Sequence, residues 1–419
     1  MNSALIFDIG TLATPQLKDA DDLRRPVQEL HNAAVWIENG HFKEIGRSFD
    51  LLNRVPTSVP RYNALHKLML PGFVDCHAHP IFVGNRAGEF YLRNRGASYQ
   101  EISEKGGGIH ATARRIAAAS VEQIVRESLP RFEMSLAGGV TTIECKSGYG
   151  LTWAGEERLL VAMREIEKIV PQRMVKTLLI HAVPLELASK RDTFVQEVTD
   201  QIIPETRERG LAGRVDVFCE RGAFSVEDSR TILSAAKALG MDITIHANQF
   251  GHSGGALLAA ELGARSADHL EYLNDDEITR LHNAGVVCVA LPACVYCMNS
   301  IPYPPMRKML DSGIRLAVAT DMNPGTSMTE SIPFCMTTAA IYGKLTMNEL
   351  LWSVTLDSAR ALGIQDLAGS IEPGRQADFS LWNLPSPESL PYFMGACHAD
   401  EVWIAGEQVY EFTSTVKRY

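Results

Sequence analysis

Eight short apolar runs recur along the chain from about residue 70 onward, and most of them end at or beside His, Glu or Asp. They are residues 73–77, 140–145, 175–181, 215–220, 242–246, 266–270, 286–291 and 315–321. Each is rich in Val, Ile, Leu, Thr and Phe, the composition of a β-strand. The intervening stretches 121–136, 156–170, 226–239 and 254–262 carry apolar residues at helical spacing. Eight strand–helix repeats in series, with strands apolar enough to be covered on both faces, predict a parallel (β/α)₈ TIM barrel. The competing doubly wound sheet gathers its site at one crevice. A barrel instead collects polar residues from many strand ends, which is the pattern here.

The flanks read differently. Residues 1–65 and 370–419 hold β-like pieces broken by Gly, Asn and Pro, such as Ala34-Val-Trp-Ile and Glu401-Val-Trp-Ile. Neither end has enough strands to stand alone. The expectation is an α/β chain with a barrel over 66–369 and one small β-sandwich built from both termini.

Several function classes drop out on charge and composition. The formal net charge of −10 leaves no basic face for nucleic acid, so none is expected as a partner. No apolar stretch approaches the roughly 18–20 residues that cross a bilayer, and the first residues lack the basic start and apolar run of a signal peptide. The eight cysteines are irregularly spaced, several within predicted strands, as buried thiols in a reducing compartment would be. A cytoplasmic enzyme is expected. Cys294 and Cys297 form one C-x-x-C with no matching second pair, which reads as two loop thiols. An anionic substrate would need a local cation, because the overall field repels it.

The strand ends carry the chemistry. His77 and His79 are two apart on a strand, so both imidazoles share a face. His246 ends the fifth run and Asp321 the eighth. Three imidazoles and a carboxylate converging from three strand ends suit one divalent or trivalent ion, zinc or iron, with a position left for water. One histidine at a strand end is more often a hydrogen-bonded core residue. Four such residues at corresponding ends make coincidence the poorer explanation. His181 and His269 end the third and sixth runs, where imidazoles could move protons or polarise a carbonyl. No lysine closes the third or fourth run, where His181 and Glu220 stand, so a single metal is favoured and Lys146 reads as an ion-paired loop residue.

Pro71-Gly-Phe-Val-Asp-Cys-His-Ala-His79 and Ala319-Thr-Asp321 resemble the opening and closing signatures of the amidohydrolase superfamily. More specific stretches resemble the imidazolonepropionase family. They are Asn85-Arg-Ala-Gly-Glu-Phe90, Lys146-Ser-Gly-Tyr-Gly150, Asp216-Val-Phe-Cys-Glu220 and Asp321-Met-Asn-Pro-Gly-Thr326. The resemblance spans about residues 70 to 405. It implies His77, His79, His246 and Asp321 as metal ligands. Arg86 would pair with a substrate propionate, and Tyr149, His181, Gln249, Asn323, Gly325 and Thr326 would contact substrate. His269, Asp321 and Gln249 would serve the reaction.

Two departures stand out. Gln249 occupies a place where some members carry glutamate, and an amide cannot act as a base. The run Leu291-Pro-Ala-Cys-Val-Tyr-Cys297 differs from the usual small-residue turn. The implied reaction is hydrolysis of a small anionic cyclic amide, 4-imidazolone-5-propanoate, in histidine breakdown, by a chain expected to be a homodimer. A deaminase of the same superfamily acting on a nucleobase-like ring is the alternative, since the metal set would be the same. A non-catalytic barrel is disfavoured because all four ligands are present.

Overall fold

The computed structural model describes residues 3–97, 101–102, 106–299 and 301–413. The eight apolar runs form eight parallel strands in one sheet, each hydrogen-bonded to its neighbours in chain order. They are Phe73–Asp75, Val140–Lys146, Arg173–Ile180, Arg214–Cys219, Asp242–Ala247, Ser266–His269, Val287–Ala290 and Leu316–Val318. The ends of the first and last strands meet just beyond these limits. Asp321 N donates to His77 O at 2.9 Å and His79 N to Met322 O at 2.8 Å. That closure brings the H-x-H segment and the terminal aspartate side by side, although they lie far apart in sequence.

Helices cover the outside of the barrel for the reason the spacing suggests. In Val121–Ala137 the buried Ile124, Ser128, Phe132 and Leu136 recur every fourth residue, and the Ser120 hydroxyl caps the first turn by accepting from Gln123 N. Capping boxes at Ser225/Asp228, Asn274/Glu277 and Thr346/Glu349 start three further helices.

Both termini feed a mixed sheet of eight strands. Leu68–Pro71 is one of them. It lies parallel to Ala4–Pro15 and antiparallel to Phe379–Trp382 at the centre of that sheet, so the first residues assigned from sequence to the barrel unit pair with the terminal segments. The sheet curls on itself. Phe42, from the far strand His41–Arg47, sits 6.1 Å from Phe379 between ring centres, and Phe42 N reaches Arg375 O at 2.9 Å. Trp382 is fully buried and packs on Phe73, which ties this sheet to the first barrel strand. Among the described residues no helix is long and apolar enough to cross a membrane.

Candidate metal centre and active site

Alternate residues of the barrel strands point inward, and here much of that layer is polar. Lys146, at the end of the second strand, is fully buried with its ammonium 2.7 Å from Asp216, 3.0 Å from Glu144 and 3.4 Å from Asp268. It is thus a strand residue at the centre of a charge cluster, where the sequence suggested an ion-paired loop residue. Burial pulls its pKa down, but Asp216, Glu144 and Asp268 together raise it above the ordinary lysine value.

The two aspartates that Lys146 holds each stand behind a histidine. Asp268 accepts from His77 Nδ1 at 2.7 Å, and Asp216 lies 2.8 Å from His246 Nδ1. A carboxylate on one ring nitrogen leaves the other turned to the cavity as a donor to a cation. His77 Nε2 is then 3.3 Å from His79 Nε2 and 3.5 Å from Asp321 Oδ1, and His79 Nε2 is 3.4 Å from the same oxygen. A tetrahedral cation with bonds of about 2.0–2.1 Å separates its donors by about 3.3 Å. The three donors therefore already have the spacing that a metal cofactor requires, and His77, His246 and His269 form a second group of converging ring nitrogens.

Protonation follows from burial and neighbours. Burial drives the His246 pKa down to about 3 and lowers that of His79. His77 differs. Burial and the Lys146 charge press it down, yet Asp268 and Asp321 bring it up to about 9. Burial pushes Asp321 upward, but hydrogen bonds from His77 and His79 hold it well below the usual carboxylate range. His181 falls well below its ordinary value because it is buried beside His246 and His79.

The backbone at two of these positions is strained. Asp321 has φ +49°, and His269 and Leu270 follow one another at +77° and +67°. Left-handed non-glycine residues cost about 1–3 kcal/mol each and gather at working sites.

Over this cluster lies a cavity of about 890 Å³. His79, His246, His269 and Asp321 line its floor, and Arg86, Tyr149, His181, Gln249, Asn323 and Thr326 also line it. Of the positions expected from sequence, His77 lies just beneath the lining, fully buried, and Gly325 acts through Arg86. A Cβ at Gly325 would overlap the Arg86 guanidinium, so only glycine leaves that side chain its place. Arg86 itself is 8% exposed, and among the described residues its Nε and Nη1 have no hydrogen-bond partner. Among the described residues its nearest carboxylate, Glu89, is 3.8 Å away.

The loops are built to hold these groups. Glu156 is buried and accepts from the backbone N–H of Gly148, Gly150 and Leu151, each at 2.7 Å, which fixes the turn carrying Tyr149. Asn323 accepts from Gly325 N and Thr326 N at 2.8 Å and donates to Asp321 O at 2.6 Å, so it shapes the Asp321–Thr326 turn as well as lining the cavity. His269 Nδ1 is 3.3 Å from Glu271, whose pKa burial raises.

Reading strand ends missed Asp216, Asp268 and Cys294. The aspartates carried a signal, being polar residues at alternate positions of apolar strands. Cys294 stands out in the sequence only as half of a C-x-x-C pair that reads as two loop thiols. It and Cys297 lie in the helix Pro292–Met298 rather than in a loop, and all eight cysteines are free of disulfides.

A closed parallel barrel with an H-x-H pair, a fifth-strand histidine and an eighth-strand aspartate defines a metal-dependent hydrolase. The chain belongs to the amidohydrolase family, whose model matches residues 68–409. Within it, the chain falls among the imidazolonepropionases. It is 37% identical to the imidazolonepropionase of Geobacillus thermodenitrificans over 409 residues, 97% of this chain and 96% of that one. It is 42% identical to that of Rhizobium rhizogenes over 330 residues, 78% of this chain and 81% of that one. Among solved structures, an adenosine deaminase from Xanthomonas campestris with bound zinc matches with a TM-score of 0.73 at 20% identity, covering 97% of this chain and 93% of that one. E. coli guanine deaminase matches with a TM-score of 0.73 at 18% identity, covering 98% and 100%. At those identities the likeness concerns the fold.

Proposed function

We propose that the chain hydrolyses the ring amide of 4-imidazolone-5-propanoate to N-formimidoyl-L-glutamate, a step of histidine degradation. The observation that carries this reading is Arg86. It is a buried guanidinium, two of whose nitrogens have no partner among the described residues, on the wall of a cavity whose floor is a metal-type cluster. A net charge of −10 gives no general attraction for an anion, and a neutral nucleobase has no carboxylate for a guanidinium to hold. A propionate does, in the two-point geometry that guanidinium and carboxylate share.

The cation would be held by His77, His79, His246 and Asp321, and would lower the pKa of water to roughly 7. Arg86 and Tyr149 hold the carboxylate end, so that binding energy becomes position of the ring. His269, supported at Nδ1 by Glu271, presents its other nitrogen to the ring carbonyl oxygen. Asp321 takes a proton from the attacking water and returns it to the leaving ring nitrogen as the C–N bond breaks. Gln249 donates to the ring from its amide and performs no proton transfer. Asn323, Gly325 and Thr326 form the turn that backs Arg86, and His181, neutral by virtue of its burial, closes the wall beside Tyr149.

Imidazole and carboxylate donors accept zinc or iron alike, and availability selects between them. Eight free cysteines fit the reducing cytoplasm, and a homodimer is the assembly proposed. Freshly generated substrate tests the reading. Loss of its ring absorbance with formimidoylglutamate as product is expected. Release of ammonia from guanine or adenosine, with the imidazolone untouched, would favour the deaminase reading.

A further inference from the structure

Cys294 lies against the reacting end of the cavity. Its side chain is fully buried at the third position of the helix Pro292–Met298, which follows the seventh barrel strand. The Gln249 amide nitrogen and the Met298 sulfur are each 3.8 Å from its sulfur. More telling is the company it keeps. A ring nitrogen of His269, the Cys294 sulfur and a carboxylate oxygen of Asp321 all lie within 4.8 Å of one another. Asp321 also belongs to the cluster with His77 and His79.

We infer that His269, Cys294 and Asp321 form a second cation site, adjoining the first through Asp321, and that a soft divalent ion such as zinc bound there stops the reaction. Imidazole, thiolate and carboxylate are all zinc donors, with bonds of about 2.0–2.3 Å, so small movements of the three side chains bring them into reach. The thiolate makes the site discriminate. Zinc, cadmium and cobalt take it, while magnesium and calcium, which prefer oxygen, do not. Binding is balanced by loss of the thiol proton to solvent and forms one sulfur–metal bond. The ion engages His269 and Asp321, the groups that would otherwise meet the ring carbonyl and carry its proton. The first equivalent of metal is therefore required and the second is inhibitory.

Cobalt reads the two sites separately, because only a sulfur donor gives an intense thiolate-to-metal charge-transfer band in the near ultraviolet. The metal-stripped enzyme is titrated with cobalt, following bound metal and absorption together. We expect the band to be absent through the first equivalent and to appear with the second. Cys294→Ala should keep the first equivalent and bind the second at least about tenfold more weakly, with no band. Cys297→Ala should retain it. If Cys294→Ala fails to keep the first equivalent, Cys294→Ser, which preserves the side-chain size, is judged by the same criterion. A saturated wild type without the band, a band that rises with the first equivalent, or a band that survives in the Cys294 variants would each overturn the site. These metal counts are independent of which substrate the enzyme takes. Turnover that is unchanged by the second equivalent would overturn its inhibitory role.

Discussion

Replacing Lys146 by methionine tests how the histidines are held. The substitution keeps a long unbranched side chain and removes one buried charge. Glu144, Asp216 and Asp268 would be left facing one another, with Arg214 still 3.8 Å from Glu144. Breaking a buried ion pair by removing one partner costs about 3–5 kcal/mol, because the remaining charge stays desolvated. The metal-free variant should therefore unfold at a clearly lower urea concentration than the metal-free wild type. A purely structural lysine would do no more than that. Here Asp268 and Asp216 also orient His77 and His246, and loss of such support typically weakens metal binding about 10–100-fold. Competition against a chelator of known affinity, on folded protein at low temperature, measures that second effect. Lys146→Arg should recover part of both. A folded Lys146→Met protein with unaltered metal affinity would refute the link from the lysine through the aspartates to the proposed ligands His77 and His246.

Other perturbations separate the remaining parts of the account. Arg86→Ala removes a charge-assisted contact of about 1.5–3 kcal/mol and should raise KM roughly 10–100-fold with little change in kcat; an unchanged KM would exclude it as the carboxylate anchor. Gly325→Ala should displace the same guanidinium and raise KM in the same direction while the metal content stays constant. His269→Asn should lower kcat by about 10²–10³-fold, as loss of a donor to the developing oxyanion does, while the protein still binds its first metal equivalent. Trp382→Ala empties a fully buried contact with Phe73 and should cost about 3–5 kcal/mol in denaturant unfolding; a much smaller loss would mean that the terminal sheet is not anchored there.

The barrel was legible because its strands are local and repetitive. Each apolar run declares itself within a few residues, and His77 and His79 share a face by the two-residue period alone. What escaped was everything that depends on register between strands. Asp268 lies behind His77 only because side chains of the sixth and first strands meet inside the barrel, and no spacing along the chain encodes that. Lys146 looked like a loop residue for the same reason, since its partners come from the second, fourth and sixth strands. The pairing of Leu68–Pro71 with Phe379–Trp382 spans most of the chain, so the edge of the barrel unit could not be read from either segment alone. Cys294 sits on a short helix whose direction is fixed by the strand before it, and only the fold turns its sulfur toward His269 and Asp321.

We propose that one cation, held by His77, His79, His246 and Asp321, enables the chain to open the imidazolone ring. The most direct test adds zinc or ferrous iron stepwise to metal-stripped protein and measures turnover of 4-imidazolone-5-propanoate at each step. Activity should be absent at the start and rise in proportion to bound metal up to one equivalent, with formimidoylglutamate as product. Turnover by fully stripped protein, or none after the first equivalent has bound, would contradict it.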